Sequence, residues 1–393
     1  MVGVGAVCYS PSRAGAGRWI MRVFIDREGT LAGLRQAMDS ALENGAGSLL
    51  IFSCDGNGYE SECLDPLLRS TPVPLSGGIF PRVLGDGLLM EKGNVVVAMD
   101  EHPETYVVRD MNSPAVDFED VLDRMVAEET DARTVLVFVD GLSSRIGAFV
   151  DALYSIFGLE VNYIGGGAGS LSFRRTPCVF TNEGVLRDAA VLGAYHMESG
   201  VGVSHGWEYV KGPFKVTESE GNLIKSLDWR PAFEVYREVV EAHSGKRFML
   251  EPFFDIAQSY PFGIAKMGAE RVVRDPMGLD GEEALVCIGD IPEGAYVDIL
   301  HGSPENLIQA AGSSLRMAKE NFPPDARPRL GFFIDCISRA LFLDDEYRLE
   351  LEAMTEQGME SVGICSMGEL ANSGQDYLEF YNMTAVVALL EGR

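Results

Sequence analysis

Residues 29–49 (GTLAGLRQAMDSALENGAGSL) carry apolar side chains at helical spacing, and Ser48–Ser53 is a short continuous apolar run, which predicts a helix followed by a buried strand. Beyond the polar turn Cys54-Asp55-Gly56-Asn57-Gly58, an acidic helix is expected to about Ser70. Val73-Pro74-Leu75-Ser76-Gly77-Gly78 follows, then two strands around Gly87–Met90 and Asn94–Met99. The same grammar returns. Phe118–Glu128 reads as a helix, Thr134–Val139 as a strand, Asp140–Ser144 as a loop and Ile146–Phe157 as a helix. Val161–Gly167 then answers the VPLSGG segment, and Cys178–Thr181 with Ala189–Tyr195 answers the hairpin. Each unit runs strand, polar-glycine loop, helix, strand ending in glycines, hairpin, so an internal duplication is expected, about 29–110 and 115–200.

The pattern changes at 201–236. Val201, Val203 and His205 alternate as a strand, Phe214–Thr217 reads as another, and Glu220-Gly221-Asn222 turns the chain into Leu223–Leu227. Pro231 opens a helix to Ala242, in the first turn, where its missing amide hydrogen costs nothing. Further on, strands are expected at Arg271–Arg274, Ala284–Ile288 and Tyr296–His301. Ser303-Pro304-Glu305 caps a helix to about Asn321, and Arg329–Asp335 alternates into a buried strand delivering Cys336-Ile337-Ser338-Arg339. A helix at Asp344–Thr355, an extended run from Val362 to Leu370 and a closing strand within Leu378–Leu390 complete a mixed α/β (α+β) chain. The duplicated half ends near 220, a distinct half covers 221–393, and residues 1–28 stay unassigned.

The order HGW, VT, GN, LD and PAxEVY over 205–236, the strand ending in GGxAGS before Phe173, and cysteine three residues before arginine, then GE and NxT, together resemble the FIST family. Its modules occur in bacteria and archaea and, fused to F-boxes, in eukaryotes. Where the family has aspartate-glycine before its basic residue, this chain has Asp228-Trp229-Arg230. The resemblance covers nearly everything after residue 30. It implies a sensory, signal-transducing module that binds a small polar, amino-acid-like metabolite between its two halves. With no kinase, cyclase or DNA-binding segment in view, signalling is expected in trans, to a downstream protein.

Composition narrows the alternatives. A formal charge of −27 argues against a phosphate-backbone partner, and 46% hydrophobic with 23% charged residues is a globular balance. MVGVGAVCYSPSR lacks the charged start and long apolar core of a leader, and no stretch approaches a membrane span, so a cytoplasmic protein is expected. Seven widely spaced cysteines without a CxxC pair predict neither disulfides nor a zinc site. Gly165-Gly166-Gly167-Ala168-Gly169-Ser170 lacks the GxGxxG spacing and precedes a hairpin instead of a helix, which argues against a dinucleotide loop.

The candidate ligand-binding residues are Ser76, Gly77, Gly166, Gly167, His205, Trp207, Asp228, Arg230, Cys336, Arg339, Glu369, Asn382 and Thr384. No catalytic motif is found, so no enzyme and no cofactor are expected. Three alternatives stay open. One is a haem-dependent gas sensor with His205 or His196 as axial ligand, which the family likeness suggests. Another is a cysteine-dependent enzyme on Cys336, whose thiol a neighbouring Arg339 would acidify. The third is a scaffold for protein partners. Arg339 and Glu369 are expected as a buried pair.

Overall fold

The computed structural model describes residues 21–127, 130–265, 271–281, 283–372 and 377–392. Its mixed α/β character follows from one strand order met three times. In the first copy Arg22–Asp26, Asn94–Met99, Ser48–Cys54 and Leu75–Phe80 lie side by side. In the second the order is Glu104–Arg109, Ala189–Tyr195, Thr134–Asp140 and Asn162–Ala168. The third runs Ser199–Ser204, Ala385–Glu391, Pro328–Cys336 and Glu360–Ser366. In each copy the last two strands are parallel and the others antiparallel. The central strands of the first two copies are buried along their whole length, which explains why they read as continuous apolar runs rather than alternating ones.

The helices start where the sequence supplies caps. Thr30 accepts the Gly33 amide ahead of Leu31–Glu43, and Ser303 accepts that of Asn306 ahead of Pro304–Glu320. The predicted helix Phe118–Glu128 is shorter, ending at Asp123, and Glu128 lies outside the described residues. Asp344–Thr355 divides into a 3-10 turn, Asp344–Glu346, and a helix, Tyr347–Met354. A further helix, Ile337–Leu343, occupies a stretch with no predicted element.

The copies are interlocked. Each has a hairpin after its glycine-bearing parallel strand, and that hairpin joins a neighbour's sheet. Arg82–Gly85 pairs with Glu360–Ser366 of the third copy, Val179–Thr181 with Leu75–Phe80 of the first, and Glu369–Ala371 with Asn162–Ala168 of the second. The exchange closes a cycle. Phe52, Phe138 and Phe332, one from each central strand, meet with ring centroids 5.3 to 6.4 Å apart. Glycine is required where the parallel strands pair. A Cβ at Gly77 would lie 2.0 Å from the Ile51 carbonyl oxygen, and one at Gly165 would lie 1.7 Å from that of Val137.

The third copy is split. Between its first strand and its helix Pro304–Glu320 sits an insertion, residues 205–303, built on a sheet ordered Val272–Arg274, Phe262–Ile264, Tyr296–His301, Glu208–Glu220, Leu223–Leu227, Ala284–Cys287 and Pro276–Asp280, with the helix Ala232–Ser244 packed on it. Trp229 takes φ +64° after Asp228 at +49°, so the turn adopts the left-handed backbone that the family's glycine favours, with the indole 83% exposed.

Candidate functional site

The strand Pro328–Cys336 and the helix Ile337–Leu343 meet at a cavity of about 250 Å³. Cys336, Ile337, Ser338 and Leu341 form one wall; Met367 and Gly368, from the turn into the exchanged hairpin, form another. Asn382 stands at the end of that hairpin, and Phe254, Met277 and Ile288 come from the insertion. Leu171 and Phe173, from the loop after the second copy's glycine strand, complete the lining. Leu171, Phe173 and Leu341 are 38 to 48% exposed, so the mouth has an apolar rim. A wider depression, about 580 Å³, is lined among the described residues by the helix Leu31–Glu43 alone and has no second wall.

The polar groups lie at the inner end. Asn382 is buried, and its Oδ1 accepts from Nη1 of Arg274 at 3.2 Å. The same guanidinium donates to the carbonyls of Val273, Phe380 and Asp290 at 2.9 to 3.1 Å, which fixes its plane and therefore the amide. The Asn382 Nδ2 has no acceptor among the described residues. Next to Arg274, Asp275 is fully buried, and neither of its oxygens closes a hydrogen bond among the described residues. Burial lifts its carboxyl to about 7, the nearby Ser338 hydroxyl acting in the opposite direction.

Cys336 and Glu369 are neighbours behind this wall. Burial first, and then the neighbouring Glu369 carboxyl, push the Cys336 thiol far above its ordinary value. Glu369 accepts from the Ser366 hydroxyl at 2.8 Å and the Thr384 amide at 3.3 Å, and burial holds it toward the neutral acid. The Thr384 hydroxyl donates to the Asn382 carbonyl at 2.7 Å. Cys336, Glu369, Asn382 and Thr384 thus form one cluster, with Cys336 and Asn382 on the cavity surface.

The other candidates lie elsewhere. Arg339 does not pair with Glu369. It sits fully buried between Asp335, with Nε 3.1 Å from Oδ1, and Glu350, whose Oε1 accepts from Nε at 3.0 Å and also from Nη2. The cause is spacing. Asp335 is four residues upstream across the strand-to-helix junction, and the helix Tyr347–Met354 carries Glu350 to the guanidinium, whereas Glu369 faces Ser366 and Thr384. His205 is buried; its Nδ1 accepts the Trp207 amide at 2.8 Å, and its carbonyl takes Nη1 of Arg339. Burial, followed by Arg339 and Arg271, lowers its pKa to about 3. The Trp207 Nε1 donates to the Met383 carbonyl. His196 is partly exposed, between Glu101 and Asp131. Neither histidine borders the cavity.

Gly166 and Gly167 pack against Ser366, Met367 and Gly368, where the exchanged hairpin crosses. Ser76 and Gly77 are buried in the first copy's parallel strand. Asp228 accepts the Lys215 amide on an exposed turn, and Arg230 is paired with Glu234 and Glu238 on the surface. Ser338, Arg274, Asp275, Phe254, Met277, Ile288 and Leu341 carry no spacing signal, because four separate segments bring them together. Phe173, three residues past the GGxAGS motif, is marked by the family resemblance.

No group of three or more metal-ligating side chains occurs among the described residues, and no described helix is long and apolar enough to cross a membrane. No curated protein matches the chain. Family models do: the FIST N domain over residues 24–230 and the FIST C domain over residues 232–372. Leu171 and Phe173 belong to the first match, the insertion and Cys336 walls to the second, and Asn382 lies just beyond it. With nearly its whole length matched, the chain belongs to the FIST family, whose domains serve sensory and signal-transducing roles.

Proposed function

We propose that this protein senses a metabolite of amino-acid size, with a polar end, held in the cavity at Cys336, Ser338 and Asn382, and reports its occupancy to a separate signalling protein. The observation that carries the reading is the cavity's composition. Two matched family segments contribute to one hollow that is apolar at the mouth and polar at its inner end, the layout of a small-molecule site. FIST domains are a sensory family and not a known enzyme family, and burial, followed by the neighbouring Glu369, pushes the Cys336 thiol away from the thiolate form that a nucleophile needs.

The test is a thermal-shift screen of the full chain with amino acids, small organic acids, nucleotides and neutral amides. A ligand at about a hundredfold over its Kd adds about 2.7 kcal/mol of stability. A hit that also slows alkylation of Cys336 supports binding in this cavity. A library without any stabilising compound, or a hit that leaves Cys336 alkylation unchanged, refutes the proposal.

A further inference from the structure

The chemistry at the inner end of the cavity also defines the head group of the molecule that fits, an inference that rests on the sensing role proposed above. None of the twelve described lining residues carries a charge. Ionisable groups stand one layer back: the Arg274 guanidinium behind Asn382, the Asp275 carboxyl behind Ser338 and the Glu369 carboxyl behind Cys336. A charged ligand group would therefore be buried without a contacting counter-ion, and a zwitterion would need two. The hydrogen-bonding capacity is specific. Asn382 is 1% exposed, and its Oδ1 is committed to Arg274. Its Nδ2 is a donor with no acceptor among the described residues, and such a group is costly to leave unmet. Asn382 lines the cavity, so a ligand acceptor that reaches its Nδ2 satisfies it. The remaining lining of Leu171, Phe173, Phe254, Met277, Ile288 and Leu341 offers only apolar contact to the body of the molecule. At about 250 Å³ the cavity exceeds the about 150 Å³ of one that takes benzene, which leaves room for a compact molecule of somewhat more than six non-hydrogen atoms.

We infer that the cavity selects an uncharged small molecule, an apolar body ending in a carbonyl or carboxamide oxygen that accepts from the Asn382 amide, in preference to an amino acid or an organic acid. Four probes with the same branched body separate the classes: isovaleramide (neutral), isovalerate (anion), isoamylamine (cation) and leucine (zwitterion). Each is titrated calorimetrically into the full chain and into the Asn382→Asp variant, which keeps an acceptor for Arg274 and removes the donor.

Isovaleramide is expected to bind the parent protein about tenfold or more tighter than the other three, and to lose about tenfold in the variant, the worth of one hydrogen bond to a buried donor. The comparison within the parent protein needs no variant, so a misfolded Asn382→Asp chain does not block it. Tighter binding of leucine, isovalerate or isoamylamine that still depends on Asn382 overturns this inference and leaves the sensing role in place. Binding of any probe that ignores Asn382 overturns the inference and also moves the sensing site elsewhere. If none of the four binds, the inference falls, while the broader screen decides the sensing role.

Discussion

Replacing Asp275 with asparagine tests the electrostatics of the candidate site directly. The carboxyl is fully buried beside Ser338, with Tyr236, Cys287, Cys336 and Arg274 near it, and its pKa rises from 3.8 to about 7. Below the lower value it is neutral whether the chain is folded or not, and it costs nothing. As pH rises, the unfolded chain ionises first while burial keeps the folded group protonated, so the folded state loses stability until the buried group ionises near 7. At about 1.4 kcal/mol for each tenfold change in acidity, the loss comes to about 4 kcal/mol. A carboxamide cannot ionise, so the Asp275→Asn variant escapes this loss. Its unmatched amide hydrogens cost about 1–3 kcal/mol at every pH, which moves the whole curve without tilting it. The measurement is urea unfolding of both proteins from pH 4 to pH 8. Asp335, held at about 6, and Glu350, held at about 8, titrate in both chains and cancel in the difference. The variant should gain steadily on the parent between pH 4 and pH 7 and hold its lead above that. Parallel stability curves would show that Asp275 is not buried as a neutral acid and would refute the electrostatic account of the site.

Arg339→Met leaves Asp335 and Glu350 without their shared cation and should cost about 3–5 kcal/mol, read as a lowered urea midpoint; an unchanged midpoint would contradict the buried pairing. Gly165→Ala places a methyl 1.7 Å from the Val137 carbonyl oxygen and should abolish soluble folding, whereas Gly147→Ala, with nothing within 4 Å and inside the helix Ile146–Phe157, should stabilise the chain by about 0.5–1 kcal/mol. Circular dichroism melts of the two alanine variants decide between these outcomes. In the native protein, peptide mapping after alkylation should find exposed Cys63 modified well before buried Cys336; equal rates would show that the Cys336 thiol is open and acidic.

Much of the secondary structure is legible in the residue pattern, because apolar periodicity and caps such as Thr30 and Ser303-Pro304 act locally. The third copy is not. Its first strand, Ser199–Ser204, is parted from the rest by residues 205–303, so no fixed period survives for a reader of the sequence to find. The hairpin exchange is hidden for a different reason: Arg82–Gly85 carries no predicted element and Glu369 reads as the end of the extended run from Val362, and only the partner strand shows that each segment joins another copy. In the candidate site, the short CxxR, GE and NxT elements point to Cys336, Glu369, Asn382 and Thr384. Arg274 and Asp275 escape notice because an Arg-Asp pair in a strand reads as surface charge until the sheet buries it. Glu350 is hidden in the same way, as one acid among several on a helix.

The position of Arg339 gives the cavity a mechanical connection to the rest of the molecule. Its guanidinium donates to the carbonyls of His205, at the start of the insertion, of Leu307, in the first turn of the helix that follows it, and of Met383, one residue after Asn382. The helix that carries Arg339 begins with Ile337 and Ser338, two of the cavity's lining residues. One rigid, fully buried side chain thus joins the cavity wall, the return turn of the third copy, the start of the insertion and the helix that follows it. A cation in that place contributes little net stability, since the desolvation of Arg339, Asp335 and Glu350 offsets their attraction. What it supplies is geometry: five donors fixed in a plane hold four segments at set distances.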